Sequence, residues 1–141
     1  KYFYLGDHQA TIPQTRLNNL KKCLEIISKG GFQPIRKSRL LDEIGLNDKD
    51  GIELLKFATH SKKLVRISED LHYNPEQIEK ILAILRGYFE KNTDINVIQF
   101  KELISVSRKY AIELLEYFDN QRFTIRKDDI RVPGKIFKLE N

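Results

Sequence analysis

The 141-residue chain contains no methionine, no tryptophan and a single cysteine, Cys23. One cysteine excludes a disulfide framework and any cysteine-based zinc site, and it fits a reducing compartment. No run approaches eighteen consecutive apolar residues, so the sequence supplies no membrane-spanning helix. It has no charged-then-apolar leader, and a cytoplasmic location is the expectation. A chain that starts at Lys1 and lacks methionine is expected to be a piece of something longer. Only four prolines, with 40% hydrophobic and 32% charged residues, exclude disorder as the default state. The length suits one ordinary domain or two small ones.

Reactive groups that converge are also missing. His8, His60 and His72 have no metal-ligand spacing, so no metal is expected. Gly30-Gly31 ends a helix instead of opening one, and there is no phosphate loop. The pairs Asp42-Glu43, Glu69-Asp70 and Asp128-Asp129 sit at a short-helix end or in turns, where solvation explains them. Cys23 falls on an apolar helical stripe and reads as a small core residue. The chain is expected to be no enzyme and to need no cofactor.

What the sequence does have is an internal repeat. Ile52-Glu53-Leu54-Leu55-Lys56-Phe57 recurs as Ile112-Glu113-Leu114-Leu115-Glu116-Tyr117, sixty residues later. Around the first copy, Leu17, Leu20, Leu24 and Ile27 keep helical spacing up to Gly30-Gly31. Ile35 suits a short extended stretch. Leu40, Leu41 and Ile44 predict a brief second helix ended by Gly45, and Asn47 or Asp48 caps a third that runs to about His60. Leu64-Val65-Arg66-Ile67, the turn Ser68-Glu69-Asp70 and Leu71-His72-Tyr73 read as a β-hairpin.

The second round opens with Asn74 before Pro75, a strong helix start. Ile78, Ile81, Leu82, Leu85 and Phe89 form its stripe; Phe100, Leu103 and Ile104 mark the next helix; Ser107 caps a third to about Asn120. Phe123 to Arg126 and Ile130 to Val132 then form a hairpin closed by Pro133-Gly134. Three helices followed by a two-stranded ribbon is the winged-helix plan. The expected fold is mostly α with small β-hairpins (α+β), as two tandem winged-helix domains over 15–74 and 75–135. Residues 1–14 would be the tail of a preceding unit, with Tyr2 to Leu5 as its last strand, and 136–141 a terminal tail. No Gly/Ser linker separates the units, so a stiff junction is expected.

Charge then singles out one place. Lys plus Arg number 25 against 20 Asp plus Glu, a net charge of +5 that permits a polyanion partner without requiring one. Ser107-Arg108-Lys109-Tyr110 starts the third helix of the second round, the helix that helix-turn-helix proteins present to nucleic acid. Free N–H groups and the positive dipole end attract phosphate there. Arg108 suits bidentate contacts, and Tyr110 suits either an unpaired base or packing against the hairpin. Arg126, Lys127 and Arg131 belong to the adjacent ribbon. The candidate nucleic-acid-binding residues are therefore Ser107, Arg108, Lys109, Tyr110, Arg126, Lys127 and Arg131. At the matching helix start the first round carries Asp48 and Asp50, and its turn carries Glu69 and Asp70, a surface expected to repel phosphate. Arg36, Lys37 and Arg39 fall at the start of its second helix, where solvated charge is the favoured reading over contact with another part of a large RNA or a partner.

Two stretches resemble a known family. Phe100 to Leu103, the run Ser107-Arg108-Lys109-Tyr110-Ala111 into Leu114-Leu115-Glu116-Tyr117-Phe118-Asp119, then Phe123 to Arg126 and Ile130-Arg131, resemble the last winged-helix domain of bacterial selenocysteine-specific elongation factors. Leu64 to Leu71 resembles the hairpin of the domain before it. The resemblance implies a fragment that recognises the selenocysteine insertion sequence, an mRNA hairpin beside an in-frame UGA codon. It further implies a parent that binds GTP, selenocysteinyl-tRNA and the ribosome, through parts absent here. Arg108, Lys109, Tyr110, Arg126 and Arg131 fall on matching positions, and Lys127 is added from its place in the wing. A monomer is expected. Two other readings stand beside this one: a winged-helix regulator of double-stranded DNA, and a tandem winged-helix protein-interaction module.

Overall fold

Capping chemistry sets where the helices begin. The computed structural model describes residues 13–139, so the strand expected at Tyr2 to Leu5 lies outside the described residues. Helix α1 (Gln14–Lys29) runs into the Gly30 turn, and α2 (Lys37–Ile44) stops at Gly45, which takes φ 90°. Helix α3 (Asp48–His60) starts at Asn47, whose side chain accepts the Asp50 N–H at 2.8 Å. Strands β1 (Val65–Arg66) and β2 (His72–Tyr73) pair antiparallel, with Val65 opposite Tyr73.

Helix α4 (Pro75–Phe89) opens on a reciprocal cap. Asn74 accepts the Gln77 N–H at 2.8 Å while Gln77 accepts the Asn74 N–H at 2.9 Å. Asn96 and Gln99 repeat this arrangement at the start of α5 (Val97–Ile104). Ser107 caps α6 (Arg108–Asn120). The turn between α5 and α6 places Ser105 at φ 58°, sixty residues after Gly45 in the same left-handed position. Three helices and a hairpin thus occur in two rounds, a mostly helical α+β winged-helix fold.

Two features depart from the sequence reading. A strand β3 (Ile95–Asn96) precedes α5 and pairs with β5 (Ile130–Pro133), which also pairs with β4 (Thr124–Lys127); the sheet order is β3-β5-β4. Residues 136–139 of the expected terminal tail instead belong to α7 (Lys135–Leu139). Phe137 of α7 is fully buried, with the Arg86 guanidinium 5.5 Å from its ring centroid. Gly134 makes the approach possible: its N–H reaches the Phe123 carbonyl at 2.8 Å, and a Cβ there would meet the Arg122 carbonyl oxygen at 2.3 Å.

Each round has its own core. Cys23, Leu40, Leu41, Leu54, Leu55 and Ala58 centre the first, where burial pushes the Cys23 thiol up to about 11. Ile81, Leu85, Phe100, Leu114 and Phe118 centre the second, with Phe100 and Phe118 edge to face at 6.3 Å. The seam between them is bonded as well as packed. Tyr73 of β2 sits in the second core and donates its phenol proton to the Phe32 carbonyl at 2.8 Å. The buried Gln77 amide donates to the Ile27 and Gly31 carbonyls at 2.8 and 2.6 Å, and Gln33 donates to the Ser105 carbonyl.

Candidate nucleic-acid interface

The first turn of α6 carries two cations and no acid. Ser107 leaves extended backbone (φ −70°, ψ 159°), and its hydroxyl accepts the Tyr110 N–H at 3.4 Å. No acidic residue occupies that turn, and Arg108 and Lys109 are both exposed on it. By contrast α3 has Asp48 and Asp50 in its first turn. Dipole and side-chain charge therefore add at α6 and oppose at α3.

The ribbon comes up beside α6 and forms a groove of about 430 Å³. Arg108 and Ile112 of α6 line one wall, and Arg126, Asp129 and Arg131 of the hairpin line the other. Asn96, Val97 and Ile98, from the β3–α5 junction, close it. Arg108 and Arg126, eighteen residues apart in sequence, thus share one concave surface. Arg126 is exposed and steadied by its Nε–H donating to the Asp128 carbonyl at 3.0 Å. Asp128 takes φ 56° in the hairpin turn, a conformation that Asp tolerates better than most residues. Lys109 and Lys127 are exposed beside the groove without lining it.

Two sequence-based candidates need correction. Arg131 is 2% exposed, and its guanidinium donates to Asp119 Oδ2 from Nη2 at 3.0 Å and from Nε at 3.3 Å. The other Asp119 oxygen accepts the Thr124 hydroxyl at 2.6 Å. A charge spent on a buried carboxylate is not offered to phosphate; Arg131 ties the ribbon to the end of α6 and so positions Arg126, its partner across β4 and β5. Tyr110 is half-buried against the second core, and its hydroxyl accepts Arg36 Nε–H at 3.4 Å across the seam. It faces the first round instead of standing free as a stacking platform.

Residues missed from the sequence are Asn96, Ile98 and Ile112. Ile98 is 55% exposed, a large apolar side chain held open at the groove. The β-branched residues Ile95, Val97 and Ile98 were the available signal, but their meaning depends on β3 pairing with β5.

Known proteins are similar to this chain in sequence and in fold. Residues 87–132 match the family model described as elongation factor SelB, winged helix. A selenocysteine-specific elongation factor of Desulfomicrobium baculatum is 30% identical over 103 residues, 73% of this chain and 16% of that protein. One of Escherichia coli (strain K12) is 25% identical over 126 residues, 89% of this chain and 20% of that protein. The chain thus spans a fifth or less of these relatives. Among solved structures, the mRNA-binding domain of E. coli elongation factor SelB, in complex with SECIS RNA, shares the fold at a TM-score of 0.78 and 22% identity, covering 88% of this chain and 100% of that one. Bacterial selenocysteine-specific elongation factor EF-Sec matches at a TM-score of 0.69 and 25% identity, over 88% of this chain and 20% of that one.

Proposed function

We propose that this chain, which belongs with the winged-helix domains of elongation factor SelB, grips a folded mRNA hairpin in the groove between α6 and its wing. The observation that carries the reading is the shared groove of Arg108 and Arg126, open at the acid-free start of α6. A phosphate settles on the exposed N–H groups there, and Arg108 clamps it. Arg126 takes a second phosphate from the opposite wall, while Lys109 and Lys127 add attraction from outside. Ile98 and Ile112 give an apolar surface for the face of an unpaired base. Loop and bulge nucleotides are the parts of an RNA hairpin that can be splayed this way, because the A-form major groove admits side chains poorly.

In this reading residues 15–74 and 75–135 are two winged-helix domains, the second carrying the grip and the first a rigid spacer. The bonded seam at Gln77, Tyr73 and Arg36 supports that stiffness. The target is the selenocysteine insertion sequence, bound in the cytoplasm by a monomer without a cofactor. GTP, selenocysteinyl-tRNA and the ribosome would engage other parts of a longer parent.

The test is titration of the chain with a bulged RNA hairpin and with duplex DNA of equal charge, across a salt series. With about three to five phosphates neutralised, hairpin affinity falls roughly 20- to 100-fold between 50 and 200 mM salt. Equal affinity for the duplex favours a DNA regulator. No binding to either favours a protein-interaction module.

A further inference from the structure

A cleft of about 860 Å³ lies in the first round, between α3 and the β1–β2 hairpin. It occupies the repeat-equivalent place of the α6–wing groove. Ile52 lines it as Ile112 lines the other, and Arg66 lines it as Arg126 does, each sixty residues apart. The acids at the start of α3 do not line it; Asp50 faces a separate hollow beside Leu54 and Arg16.

Its lining divides into three chemistries. Ile52, 37% exposed, and Leu55 make an apolar floor. Lys37, Lys56, Lys62 and Arg66 ring it against a single carboxylate, Glu69. The Lys37 N–H donates to the Asp70 carbonyl at 3.1 Å, which fixes the start of α2 against the hairpin turn. Two lining residues, Thr59 and His72, each have a buried polar atom with no hydrogen-bond partner, Thr59 Oγ1 and His72 Nδ1. His72 is 5% exposed, and burial together with Arg66 and Lys37 pushes it down to about 4, so it is neutral near pH 7. A neutral imidazole offers a donor and an acceptor, and buried groups of this kind are ordinarily satisfied.

We infer that this cleft is a nucleotide site: a nucleobase lies on Ile52 and Leu55, its edge bonds Thr59 and His72, and its phosphate meets the lysine and Arg66 rim. An apolar floor alone would take any hydrophobe, and a cationic rim alone any anion. Both together, with unsatisfied donors and acceptors in the same lining, select an aromatic phosphate, and the volume is in the range of small-ligand sites. A free nucleotide and an unpaired nucleotide of an RNA strand share this chemistry. The repeat argument rests on the RNA reading of the second groove; the cavity argument does not.

The experiment uses the full 141-residue chain with adenosine and uridine 5′-monophosphate, ribose 5-phosphate and a single-stranded RNA hexamer, read by the His72 imidazole and the Ile52 and Leu55 methyl NMR signals. Nucleotide or hexamer should move these signals saturably, with ribose 5-phosphate about tenfold weaker for want of the base. Lys56→Glu, on an exposed position, and Thr59→Val, which keeps the shape, should each weaken binding several-fold. Response to the mononucleotide alone marks a free-nucleotide site, and response to the hexamer alone marks a strand site. Silence of all three residues to both ligands at millimolar concentration overturns the inference, as does ribose 5-phosphate binding as tightly as the nucleotides. A parallel hairpin titration separates the two claims: hairpin binding with a silent cleft removes only this one, and a responsive cleft without hairpin binding removes only the other.

Discussion

Removing Asp119 should damage this protein more than removing the arginine it holds. Arg131 is 2% exposed and makes two hydrogen bonds to one Asp119 oxygen, whereas the Asp119 side chain is 20% exposed. Asp119→Ala therefore strands a buried guanidinium, at a cost of about 3–5 kcal/mol. It also removes the acceptor of the Thr124 hydroxyl, about 1 kcal/mol more. Arg131→Met leaves a carboxylate that water can reach and fills the space with an apolar chain, costing about 1–3 kcal/mol. Replacing both, as Asp119→Leu with Arg131→Met, should recover much of the loss. Urea unfolding followed by circular dichroism measures all three, since the chain has no tryptophan to report it. Hairpin affinity, measured where each variant stays folded, completes the comparison. If Arg131→Met left stability unchanged and cost as much affinity as loss of Arg108, Arg131 would touch the RNA and the positioning role assigned to it would be wrong.

Other consequences can be checked separately. His72 is neutral when folded, with its pKa lowered to about 4 from the ordinary 6.5, so the unfolded chain holds the extra proton between those values. Stability should fall as pH drops from 6.5 to 4, by about 3 kcal/mol, and level off below; the corresponding urea midpoints of His72→Gln should lack that component. Gly134→Ala should cost about 1–3 kcal/mol, because the new methyl meets the Arg122 carbonyl; an unaltered melting temperature would show that the α7 turn yields easily. Arg108→Ala should weaken hairpin binding by about 1–3 kcal/mol with the melting temperature retained, and unchanged affinity would remove it from the interface.

The elements that sequence reading recovered are those written in local chemistry. Asn47, Asn74 with Pro75, and Ser107 announce helix starts, Gly45 announces a stop, and the repeated Ile-Glu-Leu-Leu segment relates the two rounds. Strand β3 stayed hidden because two residues become a strand only when β5 is beside them. Helix α7 stayed hidden because its reason to exist is the hole that Phe137 fills. The exposed cations Arg108 and Arg126 were visible as charge, and the groove joining them required the fold. Arg131 misled for the same reason: its carboxylate lies twelve residues back, across a hairpin and at the end of a helix. The first-round cleft was masked by the acids of α3, which point elsewhere, while its cations come from four separate segments.

One groove, walled by Arg108 and Arg126, should hold the RNA. Charge reversal at both positions, Arg108→Glu with Arg126→Glu, followed by hairpin titration over a salt series, tests it most directly. The double variant should stay folded, with a hairpin affinity lower by about 100-fold or more and a salt slope shallower by about two phosphates' worth. A double variant that binds the hairpin as the parent does, with the same salt slope, contradicts it.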